Sequence, residues 1–488
     1  MQKNYIIYGF AAMILLSVMM HLHIFPKDLW GRHLWRQAQT QECVQQFTRG
    51  DFNILNPRTN TYNGGSNIVR LEFPVMQWCI AAINRVIGES ILTSRIFMFC
   101  TGILGIFGFY LLLFEIFKDR MIALFGAFAF SFSPVFYYYT VNPLPDVFGL
   151  SMGILSLAYF FKFKRTKTNA FLIGSAILMS LSILAKLPFI MFGVVPATYF
   201  LQEIFGKTAD RTQVLWKLFL AYAMALIAPV LWYAWVMKGW GTTTVIGGIL
   251  NKPLPTDKLL FILKHHYEIL WPRLLLGYSS VIVFFIGVFY ILRNGLYKSK
   301  NFWLFFNLLV ILFAFFAYEI SIIDVGHDYY LFPFLPALFI IVTFGIKSLY
   351  TMKYKFGQVF LMMAMIAMPI HAFFTVDKWW SREYSYFDQS LLEDREYIRA
   401  LIPQGEKCIM LNDYSGCCMI SYLIDKEGYT FDHSNLPALW VEDMVKNFGV
   451  RYLVSTSREV DTREDMLPFY ESLIYHKGYL RIYKLKDM

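Results

Sequence analysis

The feature that most constrains this chain is the recurrence of long, almost uncharged apolar runs. Such runs lie at about residues 5–25, 91–116, 121–140, 146–162, 169–185, 187–204, 213–237, 274–293, 301–320, 330–350 and 356–375. A helix rises ~1.5 Å per residue, so about 20 apolar residues match a hydrocarbon layer ~30 Å thick. The pattern predicts about eleven membrane spans. Composition agrees: 57% of residues are hydrophobic and only 16% charged, against roughly a quarter charged in a soluble domain. The first run, "MQKNYIIYGFAAMILLSVMMHLHIF", has no small-residue cleavage site and reads as an uncleaved first span.

The connectors set the direction of the spans. "KDR" (118–120), "KFKRTK" (162–167), "GKTADR" (206–211), "RNGLYKSK" (293–300) and "KSLYTMKYK" (347–355) are short and basic. With eleven spans they all fall on one side, which the positive-inside rule makes cytoplasmic. The segment "EFPVMQWCIAAINRVIG" (72–88) tests that count, because reading it as a span would turn every basic connector outward. It is short and contains Arg85, and it reads instead as a helix on the outer interface. The outer side then collects a long first loop (26–90), "NPLPD" (142–146), "AKLP" (185–188), a second loop (238–273), "IDVGHDYY" (323–330) and everything from about 376.

That last part alternates helical and strand patterns. "SLLEDREYIRALIP", "GCCMISYLIDKEG" and "LPALWVEDMVKNFG" are helix-like, while "KCIMLND", "VRYLVSTS" and "YLRIYKL" are strand-like. The expected fold class is therefore an all-α polytopic bundle over residues 1–375 with a small α/β extracytoplasmic domain over 376–488. Charge divides in the same way. From Thr375 onward there are 14 Lys and Arg against 19 Asp and Glu, leaving 30 against 15 in the rest. The positive excess belongs to the membrane part and reads as topology and phosphate contact, not nucleic-acid binding. The six cysteines include no C-x-x-C; the vicinal Cys417 and Cys418 are either redox-active or ordinary helix residues.

Polar groups crowd the outer side: Glu42, Glu72, Asp146, Lys186, His327 and Asp328. A carboxylate at a water–lipid boundary can act as a base, a cation there can pair with a phosphate, and apolar walls suit a lipid chain. Together they fit transfer of a group from a lipid-linked phosphate. Each residue also has a plainer role open to it. Glu72 can complement a helix N-terminus, and Asp146, after a proline, can cap a span. Arg36 can pair with Glu42 or Asp51, and Lys186 can snorkel. His327 can be an interfacial polar residue, and Tyr329 and Tyr330 can belong to an aromatic belt. His265 and His266 read as solvated; Arg273, beside Trp271 and Pro272, is a weaker candidate for donor contact.

The stretches "HLWRQAQT" (33–40), "LEFPVMQW" (71–78), "NPLPD", "LAKLP" (184–188) and "GHDYYLFPFLP" (326–336) carry a resemblance. The chain resembles the GT-C polyprenyl-phosphate-sugar glycosyltransferases, in the branch of protein O-mannosyltransferases and the lipid A aminoarabinose transferase. The resemblance implies a helical bundle with a large first external loop and an outward-facing active-site cavity. It also implies inverting sugar transfer from a polyprenyl-phosphate donor without a nucleotide. Some members hold a divalent metal near two first-loop carboxylates, so a metal stays open here. The relatives' first motif usually reads W-R-Q-A-D-T, and its Asp falls at Gln39, which cannot act as a base. Either Glu42, three residues on and on nearly the same helix face, makes up for it, or Glu72 acts alone, or activity is altered; the reading adopted is Glu72 as the main carboxylate with Glu42 in support.

The resulting expectation is a glycosyltransferase of the bacterial inner membrane. Its catalytic candidates are Glu72, Glu42 and Asp146, and its donor-phosphate candidates are Arg36, Lys186, His327 and Arg273. Its partners would be the polyprenyl-phosphate sugar, membrane lipids and a glycan, glycolipid or protein acceptor. A lipid or sugar-lipid flippase would instead show mid-span charges and two related halves. A non-catalytic binding relative is the third reading.

Overall fold

The computed structural model describes residues 2–206, 211–240, 244–251, 253–384, 389–413 and 418–488. The chain forms two compact units. One is helical and contains Met1–Pro26 and Arg95–Asp377; the other contains Lys27–Ser94 and Lys378–Met488.

In the helical unit, eight described helices are long and apolar enough to cross a membrane, and nine if one bent pair counts as a span. This is a multi-pass membrane protein. The other two expected spans are shorter helices. Asn169–Ala185 has 17 residues. The stretch 121–140 splits into Arg120–Ser131 and Pro134–Tyr139, because Pro134 has no N–H for the upstream helix and disfavours helical backbone at Ser133. The bent pair is Thr256–Leu276 with Tyr278–Arg293, turned by 95° at Gly277. Gly277 has φ +75, and a Cβ there would sit 3.3 Å from Pro134 Cδ, so both backbone and space favour glycine. The second outer loop is thus not an open connector. It contains Thr244–Asn251 and Thr256–His265, and then a wider helix over His266–Leu276 around Pro272.

The second unit is built on a seven-stranded sheet. Its strands are β1 (Arg58–Asn63), β2 (Ser66–Ile68), β3 (Lys407–Asn412), β4 (Gly428–Asp432), β5 (Val450–Ser455), β6 (Tyr470–Lys477) and β7 (Leu480–Leu485). Their order is β2-β1-β4-β3-β5-β7-β6. β4, β3 and β5 run parallel, and β7 and β6 return antiparallel. Alternation along β3 sends Cys408 and Met410 into one core and Ile409 and Leu411 into the other.

The first loop is part of this unit. β1 joins the parallel core through Thr61 opposite Gly428. Leu34 and Ala38 of the helix Leu34–Arg49 enter the core formed by Met419, Ile420 and Leu423. The expected division near 375 therefore takes a different form: residues 27–94 leave the helical part and complete the sheet. The helix Val75–Ile87 has 13 residues, ~20 Å at 1.5 Å per residue, too short to span. It buries Met76, Ile80 and Ala81 on one face and exposes Val86 and Ile87.

Gly428 sits where β4 passes closest to β3: a Cβ there would lie 1.8 Å from the Cys408 carbonyl oxygen. Backbone cannot yield as a flexible side chain can. Gly428→Ala is expected to destabilise the sheet unit by ~3 kcal/mol and to speed proteolysis within 378–488. Gly65→Ala, where a Cβ meets nothing within 4 Å, should leave the cleavage rate unchanged.

Candidate functional site

The helical unit holds a buried ion pair. Asp146 lies in the first turn of the helix Pro145–Thr166, behind Pro145. Lys186 closes the helix Asn169–Ala185 with extended backbone, one residue before Leu187–Pro188 stop it from continuing. Their side chains are 2% and 8% exposed, and Lys186 Nζ lies 3.6 Å from Asp146 Oδ1. That is an ion pair longer than a hydrogen bond. The Lys186 ammonium also sits over the rings of Tyr329 and Tyr330, at 5.4 and 5.2 Å. His327 stands edge-on to the same two rings, and fully buried Asp328 accepts a 2.6 Å hydrogen bond from Tyr139 Oη.

These placements decide between the roles left open by the sequence. Lys186 is enclosed by protein, so it does not snorkel. The N-cap of Pro145–Thr166 is Leu144, without a side-chain cap, so Asp146 complements the helix N-terminus from its first turn and pairs with Lys186. Tyr329 is buried against Lys186 and does not lie in an exposed belt. Arg273 is exposed, and among the described residues its guanidinium makes no ion pair; only its backbone carbonyl is used, accepting from His371 Nε2. His266, expected to be solvated, is buried: Nε2 lies 2.7 Å from the Asp324 carbonyl oxygen and the ring packs on Phe316.

Sequence reasoning passed over Arg95. It is buried at the start of the span Ile91–Phe117, and its Nη1 donates to the Val141 carbonyl at 2.9 Å and to Asn142 Oδ1 at 3.0 Å. It thereby fixes the "NPLPD" turn that presents Asp146. An arginine four residues into an otherwise apolar run was the available signal. Glu319, buried on the span Lys300–Ile323, was passed over as well.

The second unit carries a different pair. One helical turn sets Arg36 beside Gln39 on Leu34–Arg49, and Glu72 stands just before Val75–Ile87, which packs on that helix. Arg36 Nη2 donates to both oxygens of Glu72, at 2.6 and 2.7 Å. Arg36 Nη1 donates to Gln39 Oε1. The partner of Arg36 is thus Glu72, neither Glu42 nor Asp51. The three side chains line a small recess with Thr40, Cys43 and Gln77. Gln39 keeps the acceptor oxygen that an Asp would offer there but not its charge.

Glu42 has a structural place. It is fully buried; Oε1 accepts from Ser421 Oγ at 2.6 Å and Oε2 from the Asn60 N–H at 3.1 Å. It ties Leu34–Arg49 to β1 and to the helix Met419–Ile424. Burial pushes its carboxyl up to about 8, against the hydrogen bonds from Ser421 and Asn60, which favour the ionised form. The three-residue offset from Gln39 does not bring it to Glu72; it points into the core instead. Cys43 and Cys408 are buried free thiols; Cys418 is buried and its sulfur accepts from Thr61 Oγ1, and the question of a Cys417–Cys418 pair lies outside the described residues.

Residues 72–233 match the family model described as dolichyl-phosphate-mannose-protein mannosyltransferase, a stretch that begins at Glu72 and contains Asp146 and Lys186. No curated protein sequence matches the chain. Among solved structures, ArnT from Cupriavidus metallidurans bound to undecaprenyl phosphate aligns with 99% of this chain and 98% of its own, at TM-score 0.67 and 13% identity. The chain has the GT-C glycosyltransferase fold. The same GT-C fold relates it to AglB, the archaeal oligosaccharyltransferase of Archaeoglobus fulgidus solved with an inhibitory peptide and a dolichol-phosphate. There TM-score is 0.60 at 13% identity, over 93% of this chain and 69% of that one. The arabinofuranosyltransferase AftD from Mycobacteria aligns at TM-score 0.59 and 10% identity, over 100% of this chain and 40% of its own.

The Glu42 environment has a measurable consequence within this GT-C fold. The folded protein keeps a proton that an unfolded chain releases above the ordinary carboxylate value of 4.5. Its stabilising contribution is complete below that pH and is lost as pH rises through about 8. Glu42→Gln, which imitates the protonated form, is expected to keep the fold and flatten this part of the melting-temperature profile. A variant whose melting temperature falls as steeply as the wild type between those pH values would show that Glu42 is not the group responsible.

Proposed function

We propose that the protein is a membrane glycosyltransferase that moves a sugar from a polyprenyl-phosphate-linked donor to an acceptor hydroxyl on the outer face of a bacterial inner membrane. The observation that carries this reading is Lys186, a lysine buried in the helical unit beside Asp146 and under two tyrosine rings. Burying a charge is costly unless a partner compensates it. An ammonium is a cation of the kind that pairs with phosphate, and this one is set 3.6 Å from the Asp146 carboxylate. The fold supports the donor class, since ArnT was crystallised with undecaprenyl phosphate and AglB was solved with a dolichol-phosphate.

In the proposed reaction Glu72 takes the proton of the acceptor hydroxyl, and the oxygen attacks the anomeric carbon from the side opposite the phosphate. The carbon–oxygen bond to the phosphate breaks, and its electron pair leaves with the polyprenyl phosphate. Configuration at the anomeric carbon inverts. Lys186 stabilises the charge that grows on the departing phosphate, and His327, edge-on to Tyr329 and Tyr330, is the second donor in this scheme. Arg36 holds Glu72 rather than the donor phosphate, and the exposed Arg273 has no part in this scheme. The acceptor class is a glycan, a glycolipid or a protein.

Two measurements test the roles. Glu72→Gln is expected to lower kcat by ~10²–10⁴ while donor KM holds, with a lower melting temperature because Arg36 loses its charge partner; wild-type turnover in that variant would place the base elsewhere. Removing Lys186 alone would strand Asp146, so the neutral pair Asp146→Asn with Lys186→Met is the cleaner probe. It should stay folded and bind a polyprenyl phosphate at least ~10-fold more weakly. Unchanged affinity would take Lys186 out of the donor site.

A further inference from the structure

Some members of the resembled family hold a divalent metal near two first-loop carboxylates, and the residues present here do not fit one. Gln39 stands at one of the two carboxylate positions. At the other, Glu72 has both oxygens within 2.7 Å of Arg36 Nη2, and the second guanidinium nitrogen is committed to Gln39 Oε1. Hard divalent cations take about six or more oxygen ligands, with at least one or two carboxylates left open to them. The recess offers one carboxylate beside a guanidinium that never loses its proton. Its other polar lining does not make up the difference. Gln77 adds a neutral carbonyl, and the Cys43 sulfur is a soft ligand that does not suit a hard cation. Among the described residues no three His, Cys, Asp or Glu side chains are grouped to hold an ion.

We infer that Arg36 takes the cation's place. It is a built-in positive charge, anchored on Gln39 and seated on both oxygens of Glu72, which orients that carboxylate without a divalent ion. The Gln at position 39 is then not a simple loss. An Asp there would draw Arg36 into a shared pair, whereas a neutral amide holds one guanidinium nitrogen and leaves the charge to Glu72. The inference rests on Glu72 being the working carboxylate, but it is read out by metal content and not by turnover, so the two can fail separately.

The test uses the full-length protein in lipid nanodiscs, titrated with Mn²⁺ and followed by electron paramagnetic resonance and melting temperature. The wild type is expected to bind no Mn²⁺ above the background of empty nanodiscs and to melt identically with and without a chelator. Arg36→Met combined with Gln39→Asp removes the guanidinium and restores two carboxylates, and it should bind one Mn²⁺ and gain melting temperature from it. One equivalent of Mn²⁺ in the wild type, lost in Glu72→Gln, would overturn the inference. So would a folded double variant that stays free of Mn²⁺, because Arg36 would then not be what keeps the ion out.

Discussion

A charge removed from water persists only where another charge or a set of hydrogen bonds meets it, and this governs both units of the protein. In the helical unit Asp146 and Lys186 can sit at 2% and 8% exposure because they face each other. In the sheet unit Arg36 answers Glu72. Glu42 is met by hydrogen bonds from Ser421 and Asn60, and burial outweighs them and drives it toward the neutral acid. The three carboxylates share one chemistry and differ in what surrounds them. That difference separates two ion-paired carboxylates from one held toward the neutral form inside a core.

The supports around these pairs are as telling as the pairs. Arg95 fixes the turn ahead of Asp146 by binding Val141 and Asn142. Lys186 owes its place to a helix that stops before Pro188 and to the two tyrosines that follow His327. Arg36 and Gln39 depend on one turn of a helix whose other side is buried by Leu34 and Ala38 in the sheet core. In each case an apolar contact sets the direction of a polar group, within an architecture shared with ArnT at 13% identity.

Much of this was legible in the sequence, for reasons that differ by element. Apolar runs report membrane helices directly, since length and hydropathy are the physical requirement. The breaks at Pro134 and Gly277 are local, yet the 95° turn depends on what packs against Gly277 and was not readable from its neighbours. β4 and β6 were missed because "GYTFD" and "YESLIYHK" alternate weakly, and β1 and β2 because their partners lie far along the chain. Glu72, Lys186 and Asp146 were visible as charges at the ends of apolar runs. The separation of Glu42 from Glu72 was not, because a helix face says which residues are neighbours but not which face turns inward.

The reach of β1 has a consequence for how the protein is made. Tyr62 of β1 donates to Glu427 just before β4, a partner 365 positions away. Synthesis runs from the N-terminus, so the strand emerges long before its neighbour exists. Its edge, with open backbone donors and acceptors, must wait through the insertion of nearly all the membrane helices. A cell making this protein has reason to shield that edge during the interval, and truncation after the last span would leave it permanently unpaired.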